Sequence, residues 1–378
     1  MIRVLHLNPT KSWRGGEQQT LYLAQFLKTQ KDVQQYVCCY PNSVLEDRCK
    51  KEEIAVFPLR VLGEWDIFSA NKLSDFIIKH QINVLHAHTA RAHSIALLAK
   101  KFTLRKKYSF KLFVSRRVDF SIRKSRWEWI NQITSKKYFS ELIDSYIAIS
   151  QKVKEILIAD GIPESKIHVV YSGIDLNRFK NQASKEKIDQ LKKSMGITNE
   201  IILGNVAALV DHKDHRTLLL AMSLLKKESL PAYKLLIVGD GELKSSLLRL
   251  KDELQLDEVL FLGYRNDVFD LYHLFDVFVM SSKEEGLGTS LLDAMAMGLP
   301  IVATAGGGIP EIVVHQKGGL LSPPQNPEAL ALHLKKMIQE PELRKRFAQF
   351  NQKHVQQFHY ENTGKETLKL YKKVLTNQ

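Results

Sequence analysis

Residues 277–303 read VFVMSSKEEGLGTSLLDAMAMGLPIVA. The apolar run Val277–Met280 has the length and composition of a buried strand, and a polar loop follows it. Gly286 and Gly288 then mark a tight turn. An apolar helical pattern occupies 290–297, and a second apolar run begins at Pro300. Strand, turn, helix and strand in such a short span predict a βαβ unit, whose crossover helix joins parallel strands. One residue breaks the apolar pattern. Asp293 lies one helical turn beyond Thr289, so both project from the same face.

The same alternation extends in both directions. Strands are predicted at 3–8, 35–40, 55–59, 84–88, 111–115, 145–149 and 168–170, with helices at 18–29, 68–80, 93–101 and 152–160. The second half repeats the rhythm, with strands at 201–206, 234–238, 259–262, 277–280 and 300–303 and helices at 215–227, 243–253, 290–297 and 328–339. Alternation in both halves predicts an α/β fold of two doubly wound parallel sheets, joined by a hinge near 171–180. The tail, 344–375, reads as helical apart from a break near Gly364. In open α/β sheets ligands sit beyond the carboxyl ends of the strands, so functional residues should follow strands.

At 378 residues, the chain is too long for one ordinary core, and 44% apolar with 25% charged residues is the composition of a soluble globular protein. No apolar run approaches the roughly 20 residues of a membrane span. The opening MIRVLHLNPT reads as a strand, without the apolar region and cleavage site of a signal peptide. The three cysteines, Cys38, Cys39 and Cys49, form no C-x-x-C pair, which fits a reducing compartment and argues against a disulfide framework or a zinc site.

The net charge of +14 is uneven. Residues 1–180 hold 30 Lys and Arg against 17 Asp and Glu, whereas 181–378 hold 25 against 24. The excess peaks at 100–137, with 13 basic and 2 acidic residues. Such a window suits anionic lipid headgroups, a phosphorylated acceptor or nucleic acid. Trp127 and Trp129 within it suit a membrane interface; the alternative is a merely solvated surface.

Several loops after strands could carry chemistry. In NPTKSWRGGEQQTLYLAQFL (8–27), Gly15 and Gly16 precede a helix, where backbone N–H groups can approach an anion; a plain turn is equally consistent. In AALVDHKDHRTLLLAM (207–222), Lys213 is placed to meet a diphosphate. Neighbouring His212, Asp214 and His215 diverge too much for a metal, and Asp214 is better read as a helix cap. Gly239 and Gly241 lack the third glycine of a dinucleotide fingerprint, and GGGIPEIV (306–313) allows either close backbone approach or a structural turn. In the opening stretch, the first-turn N–H groups of Thr289, Ser290 and Leu291 make an anion site reinforced by the helix dipole. Glu285 suits sugar hydroxyls beside that anion, and Asp293 a vicinal diol such as a ribose, or simply the polar edge of a buried helix. No D-x-D pair and no G-x-S-x-G elbow is present at a predicted strand end.

Taken together, these segments resemble family 4 of the retaining, nucleotide-sugar-dependent glycosyltransferases, which have the GT-B fold. The resemblance covers nearly the whole chain. It rests on GGE (15–17), SGIDLNRF (172–179), the Lys213 loop, VGDGEL (238–243), FLGYRNDV (261–268), GGGIPEIV and, most of all, EGLGTSLLDAMAMGLPIVAT (285–304). It implies an N-terminal acceptor-binding domain over 1–175, a donor domain over 176–350, and a tail helix at 351–378 that crosses back. It also implies that Glu285 and Lys213 carry the chemistry. Donor contacts would come from Gly16, Lys213, Gly263, Tyr264, Arg265, Glu285, Leu287, Gly288, Thr289, Ser290 and Asp293. His88, Arg116 and Arg117 would face the acceptor. No metal and no cofactor is implied beyond the nucleotide diphosphate sugar, and no nucleic acid.

Three departures from the family pattern stand out. Asp293 is one methylene shorter than the usual glutamate. Ala208 occupies the place of a diphosphate-binding arginine, leaving Arg14 and Arg265 as candidates to supply that charge. Arg116 and Arg117 stand where many members carry a histidine; arginine cannot act as a base, but it can bind a phosphate. The implied reaction is sugar transfer with retention to a cell-envelope glycan or lipid-linked acceptor such as a lipopolysaccharide core, at the inner face of the cytoplasmic membrane. The competing readings are a sugar-nucleotide epimerase or phosphorylase of the same fold, and a basic lipid- or nucleic-acid-binding protein.

Overall fold

The computed structural model describes residues 1–118, 140–180 and 183–376. The second half of the basic window, with Trp127 and Trp129, lies outside the described residues. The chain divides into two compact units, Met1–Ile174 with Phe358–Gln378, and Asp175–Gln357.

The first unit is built on seven parallel strands: β1 (Ile2–Asn8), β2 (Val33–Cys39), β3 (Val56–Pro58), β4 (Val84–Ala87), β5 (Lys111–Arg116), β6 (Ser145–Ala148) and β7 (Ile167–Val169). Their order is β3-β2-β1-β4-β5-β6-β7, and every pairing is parallel. The order reverses at β1 and β4, which opens a switch point at the carboxyl ends of those strands. The strands read as apolar because helices cover both faces: Val4, Leu5 and Leu7 are fully buried. Ser43, Asp66, Thr89 and Ser150 each cap the helix they precede by accepting a backbone N–H, worth about 1 kcal/mol apiece.

The closing helix Tyr360–Thr376 completes this unit. Leu368, Leu370 and Tyr371 join Leu23, Phe26, Leu27 and Phe113 in one buried cluster. Gly364 does not break the helix as the sequence predicts. A Cβ there would overlap the Phe26 ring, so the glycine permits close packing on the opening helix Gly15–Lys28. The break falls instead at Val355–Phe358, between the helix Pro341–His354 and the closing helix.

The second unit has six parallel strands: β8 (Ile201–Val206), β9 (Tyr233–Val238), β10 (Val259–Gly263), β11 (Val277–Met280), β12 (Ile301–Thr304) and β13 (Gly319–Ser322). Their order is β10-β9-β8-β11-β12-β13, with the switch point between β8 and β11. Both sheets are therefore doubly wound, as the alternation predicts. The edge strand β13 is absent from the prediction because it opens on a glycine, which the pattern reads as a breaker. That glycine is required: a Cβ on Gly319 would stand 2.6 Å from the Ile301 carbonyl of β12. The short helices Val44–Lys51 and Lys185–Ser194 are likewise missed, since their sequences are mostly charged and carry little apolar periodicity.

Candidate functional site

The switch point of the second unit gathers two loops. The loop after β8 tightens into a single turn, Asp211–Lys213, and ends at Asp214, whose backbone is left-handed at φ 47°. The Asp214 carboxylate then caps the helix His215–Leu225, accepting from the Thr217 N–H at 3.3 Å and its hydroxyl at 2.8 Å. The loop after β11 is tied to the first: the Ser281 hydroxyl donates to the Lys213 carbonyl at 3.1 Å, and the Lys283 N–H to the His212 carbonyl at 2.8 Å. These bonds fix Lys213 against Glu285, and the ammonium and carboxylate form an ion pair, each side chain about 15% exposed. Behind it, buried His215 bonds Asn205 at 3.1 Å; burial and the nearby Lys213 charge lower its pKa to about 4, so it stays neutral.

Glu285 leads into the turn that the sequence singles out. Its carbonyl accepts from the Gly308 N–H at 2.7 Å, which joins the glycine run 306–308 to this loop. Leu287 is buried and acts as the apolar anchor of the turn. Gly288 has φ 87°, a conformation that favours glycine, and it opens the helix Thr289–Ala296 without a side-chain cap. The Thr289 and Ser290 N–H groups have no partner among the described residues and form the positive end of the helix dipole, whereas the Leu291 N–H, expected to join them, donates to the Gly288 carbonyl at 2.9 Å because the glycine turn folds back on the helix.

Asp293 lies further along that helix. Burial raises its pKa from 3.8 to about 6, and Arg178 partly offsets the rise. Tyr272, whose hydroxyl donates to the Ser290 carbonyl at 3.2 Å, is deeply buried beside it. Arg178 belongs to the second unit and comes from the single turn Leu176–Phe179, held there by Phe179 against Phe269 at 5.7 Å. It lies inside the quoted run SGIDLNRF, but no local spacing reveals that it reaches the helix around Asp293.

The sign of the Asp293 effect follows from its pKa. A carboxyl whose pKa rises on folding holds its proton more tightly in the folded chain. The associated stabilisation is present below the ordinary value and is lost as pH climbs through about 6. Asp293→Asn should therefore raise the melting temperature at pH 7.5 by roughly 2–4 °C, with the difference shrinking towards pH 4. The same variant should weaken nucleotide binding. Thermal melts across pH check the first half and titration calorimetry the second.

The remaining donor candidates divide. Gly263 (φ 67°) ends β10 at the edge of the sheet, and exposed Tyr264 follows it. Arg265 is held by Asp267 through two hydrogen bonds of 2.8 and 2.5 Å, so it is not a spare cation for the position of Ala208. Arg14 and Gly16 belong to the first unit. There the Arg14 N–H donates to Glu17 at 2.9 Å, and Gly16 faces the aliphatic stem of Arg117.

Around the switch point of that first unit lie the acceptor candidates. His6 and His86 are register partners on β1 and β4, and His88 follows β4. The His6 Nδ1 and His88 Nε2 atoms are 3.1 Å apart; His86 bonds the Tyr371 hydroxyl at 2.6 Å and the Ser115 hydroxyl at 2.7 Å. All three rings are buried and held neutral, His6 with a pKa of about 3. One donor atom from each lies within 4.8 Å of the others, a grouping that sequence reasoning missed because the pairing depends on strand register. His86, however, uses both ring nitrogens on hydroxyls. Arg117 lies beside this cluster and lowers the pKa of His86 and His88. Its own pKa is lowered to about 10 by burial, against the opposing effect of Glu17, and it donates to the Ser172 hydroxyl at 3.2 Å. Arg116 is buried at the end of β5.

Two family models match the chain in succession: one described as Glycosyltransferase Family 4 over residues 13–178, and one described as Glycosyl transferases group 1 over residues 186–354. The N-acetyl-alpha-D-glucosaminyl L-malate synthase of Bacillus anthracis is 27% identical over 314 residues, covering 82% of this chain and 80% of its own. The D-inositol 3-phosphate glycosyltransferase of Corynebacterium urealyticum is 29% identical over 223 residues, covering 56% of this chain and 52% of its own. Among solved structures, Anabaena Alr3699/HepE in complex with UDP and glucose shares the fold, with a TM-score of 0.83 at 20% identity over 99% of this chain and 100% of that one.

Proposed function

From the premise that the chain belongs to the family 4 glycosyltransferases of GT-B fold, we propose that it moves a sugar from a nucleotide diphosphate sugar, with retention, to a hydroxyl of an anionic cell-envelope glycan or lipid-linked acceptor. The observation that carries the donor half is the Lys213–Glu285 pair beside the uncapped N-terminus of the helix Thr289–Ala296. A diphosphate placed there meets an ammonium and two free N–H groups, the electrostatic complement of the charge that grows on a leaving phosphate. Glu285 then lies beside the sugar and Asp293 beside the ribose. The nucleotide and sugar bound to the Anabaena relative favour such a donor.

In the proposed step the acceptor oxygen bonds to the anomeric carbon as the bond to the diphosphate breaks, on the same face. The acceptor proton passes to the departing phosphate oxygen. Lys213 and the helix N-terminus hold the charge, so the reading calls on no metal. Two features favour an anionic acceptor held by the first unit: its excess of basic residues, and half-buried Arg117 beside the switch point. The names of the two curated relatives, one with malate and the other with inositol phosphate, point the same way. A peripheral position at the inner face of a membrane fits that charge, and no described helix is long and apolar enough to cross one.

The test is turnover of UDP, GDP and ADP sugars with a panel of phosphorylated glycans and lipid-linked acceptors, the product anomer being read by NMR. Retention without a trapped enzyme adduct is the expected result. A covalent sugar on Glu285 would overturn the same-face step. Epimerised donor without acceptor would replace transfer altogether.

A further inference from the structure

From the loop after β3 into the first turn of the helix Ile67–Lys79 the chain leaves four large apolar side chains in solvent. Leu62 is 75% exposed, Trp65 66%, Ile67 59% and Phe68 85%. Singly, such residues need no explanation, but four within seven positions form a patch of the kind that marks an interaction surface. The loop is not a loose one. The Asp66 carboxylate accepts from the Leu62 N–H at 3.0 Å, the Ser69 N–H at 2.9 Å and the Ser69 hydroxyl at 2.7 Å. The Ser69 hydroxyl also reaches the Arg60 carbonyl at 2.9 Å, and Glu64 accepts from Ser94 at 3.2 Å. Both acids of the segment are thus turned inwards as struts, and buried Val61 pins its start.

Three exposed cations lie near the apolar groups, and the exposed acid of the same helix, Asp75, is already paired with Lys106 at 2.6 Å. Arg60 precedes the patch, Lys72 stands one helical turn beyond Phe68, and Arg91 lies one turn before Ser94, to which the loop is tied. All three are exposed, and none has a carboxylate within ion-pair distance among the described residues. A tryptophan with aliphatic and phenyl neighbours, ringed by unpaired arginine and lysine, matches the headgroup boundary of an anionic bilayer. The unit that carries the loop also holds the chain's excess of positive charge. We propose that the loop 62–68 is a membrane-inserting element. On this account Trp65 and Phe68 enter the acyl boundary of an anionic leaflet while Arg60, Lys72 and Arg91 contact its headgroups. The proposal rests on the peripheral-membrane part of the function above and adds the segment that inserts.

The experiment compares the full chain with a Trp65→Ser/Phe68→Ser variant. Co-sedimentation is measured with phosphatidylcholine vesicles, with and without phosphatidylglycerol, at low salt and at about 0.5 M salt, where charge attraction is largely screened. Since both side chains are exposed, the variant should keep the parent's melting temperature. Wild type should bind the anionic vesicles and retain part of that binding in high salt. The variant should partition roughly tenfold or more weaker under both conditions. An Arg60→Glu/Lys72→Glu variant should lose binding mainly at low salt. Equal partitioning of the Trp65/Phe68 variant and wild type would overturn the proposal, as would no vesicle binding by wild type. So would a wild-type dimer that the variant abolishes, because the loop would then be a contact between copies. Stabilisation by nucleotide sugars is read on the same samples: its absence bears on the donor reading, whereas the vesicle result stands or falls by itself.

Discussion

Replacing Lys213 by alanine should lower kcat/KM for sugar transfer by roughly 10²–10³-fold, the usual cost of removing one fixed group that stabilises developing charge. Left-handed Asp214 ends the loop sharply and caps the next helix, while Ser281 and Lys283 lash the same loop to the one after β11. Lys213 is therefore positioned before any ligand arrives, and its ammonium already faces Glu285. The loss should appear in kcat more than in KM, because a leaving diphosphate carries more charge in the transition state than in the bound donor. Stability should fall by a few kcal/mol at most, because the mostly buried Glu285 carboxylate loses its ammonium partner, whereas the caps and loop bonds do not involve the Lys213 side chain and stay in place. Lys213→Arg keeps the charge and should recover part of the activity. Steady-state kinetics with a thermal melt of each variant separate these effects.

Gly306→Ala should act on the same centre from behind. A Cβ at Gly306 would overlap the Ser282 carbonyl and stand 2.7 Å from that of Lys283, and backbone cannot swing aside as a flexible side chain can. These two residues lead directly to Glu285, whose carbonyl is in turn bonded to the Gly308 N–H. The expected cost is about 2–3 kcal/mol of stability, typical of overpacking, with kcat/KM down by on the order of 10²-fold as Glu285 shifts. Gly63→Ala makes a useful control, because no atom lies within 4 Å of a Cβ there. If Gly306→Ala leaves both quantities at the parent's values, the glycine run does not clamp this loop.

The repeating strands and long helices were legible in the sequence because parallel strands buried on both faces are continuously apolar, and their crossover helices are amphipathic. Where that signal fades, so does the prediction. β13 begins on a glycine, the helix Lys185–Ser194 has no buried residue, and Gly364 serves packing where it reads as a break. The site shows the same division. Lys213, Glu285, the Gly288 turn and Asp293 follow from motifs in single loops. Arg178 beside Asp293, and His6 against His86 and His88, come together only through tertiary packing and strand register. Arg265 shows the opposite failure: the sequence offers it as a spare cation, yet its charge is already taken by Asp267, two residues on.

The central claim is that the second unit holds a nucleotide diphosphate sugar on Lys213 and the N-terminus of the helix Thr289–Ala296. Titration calorimetry of UDP, GDP and ADP, and of their sugars, into wild type and Lys213→Ala tests it directly. The account predicts saturable binding of one nucleotide series by wild type, with affinity reduced at least about tenfold in the variant, as for a lost charge-assisted contact to phosphate. Binding of equal strength to both proteins, or no binding of any nucleotide diphosphate by wild type, would contradict it.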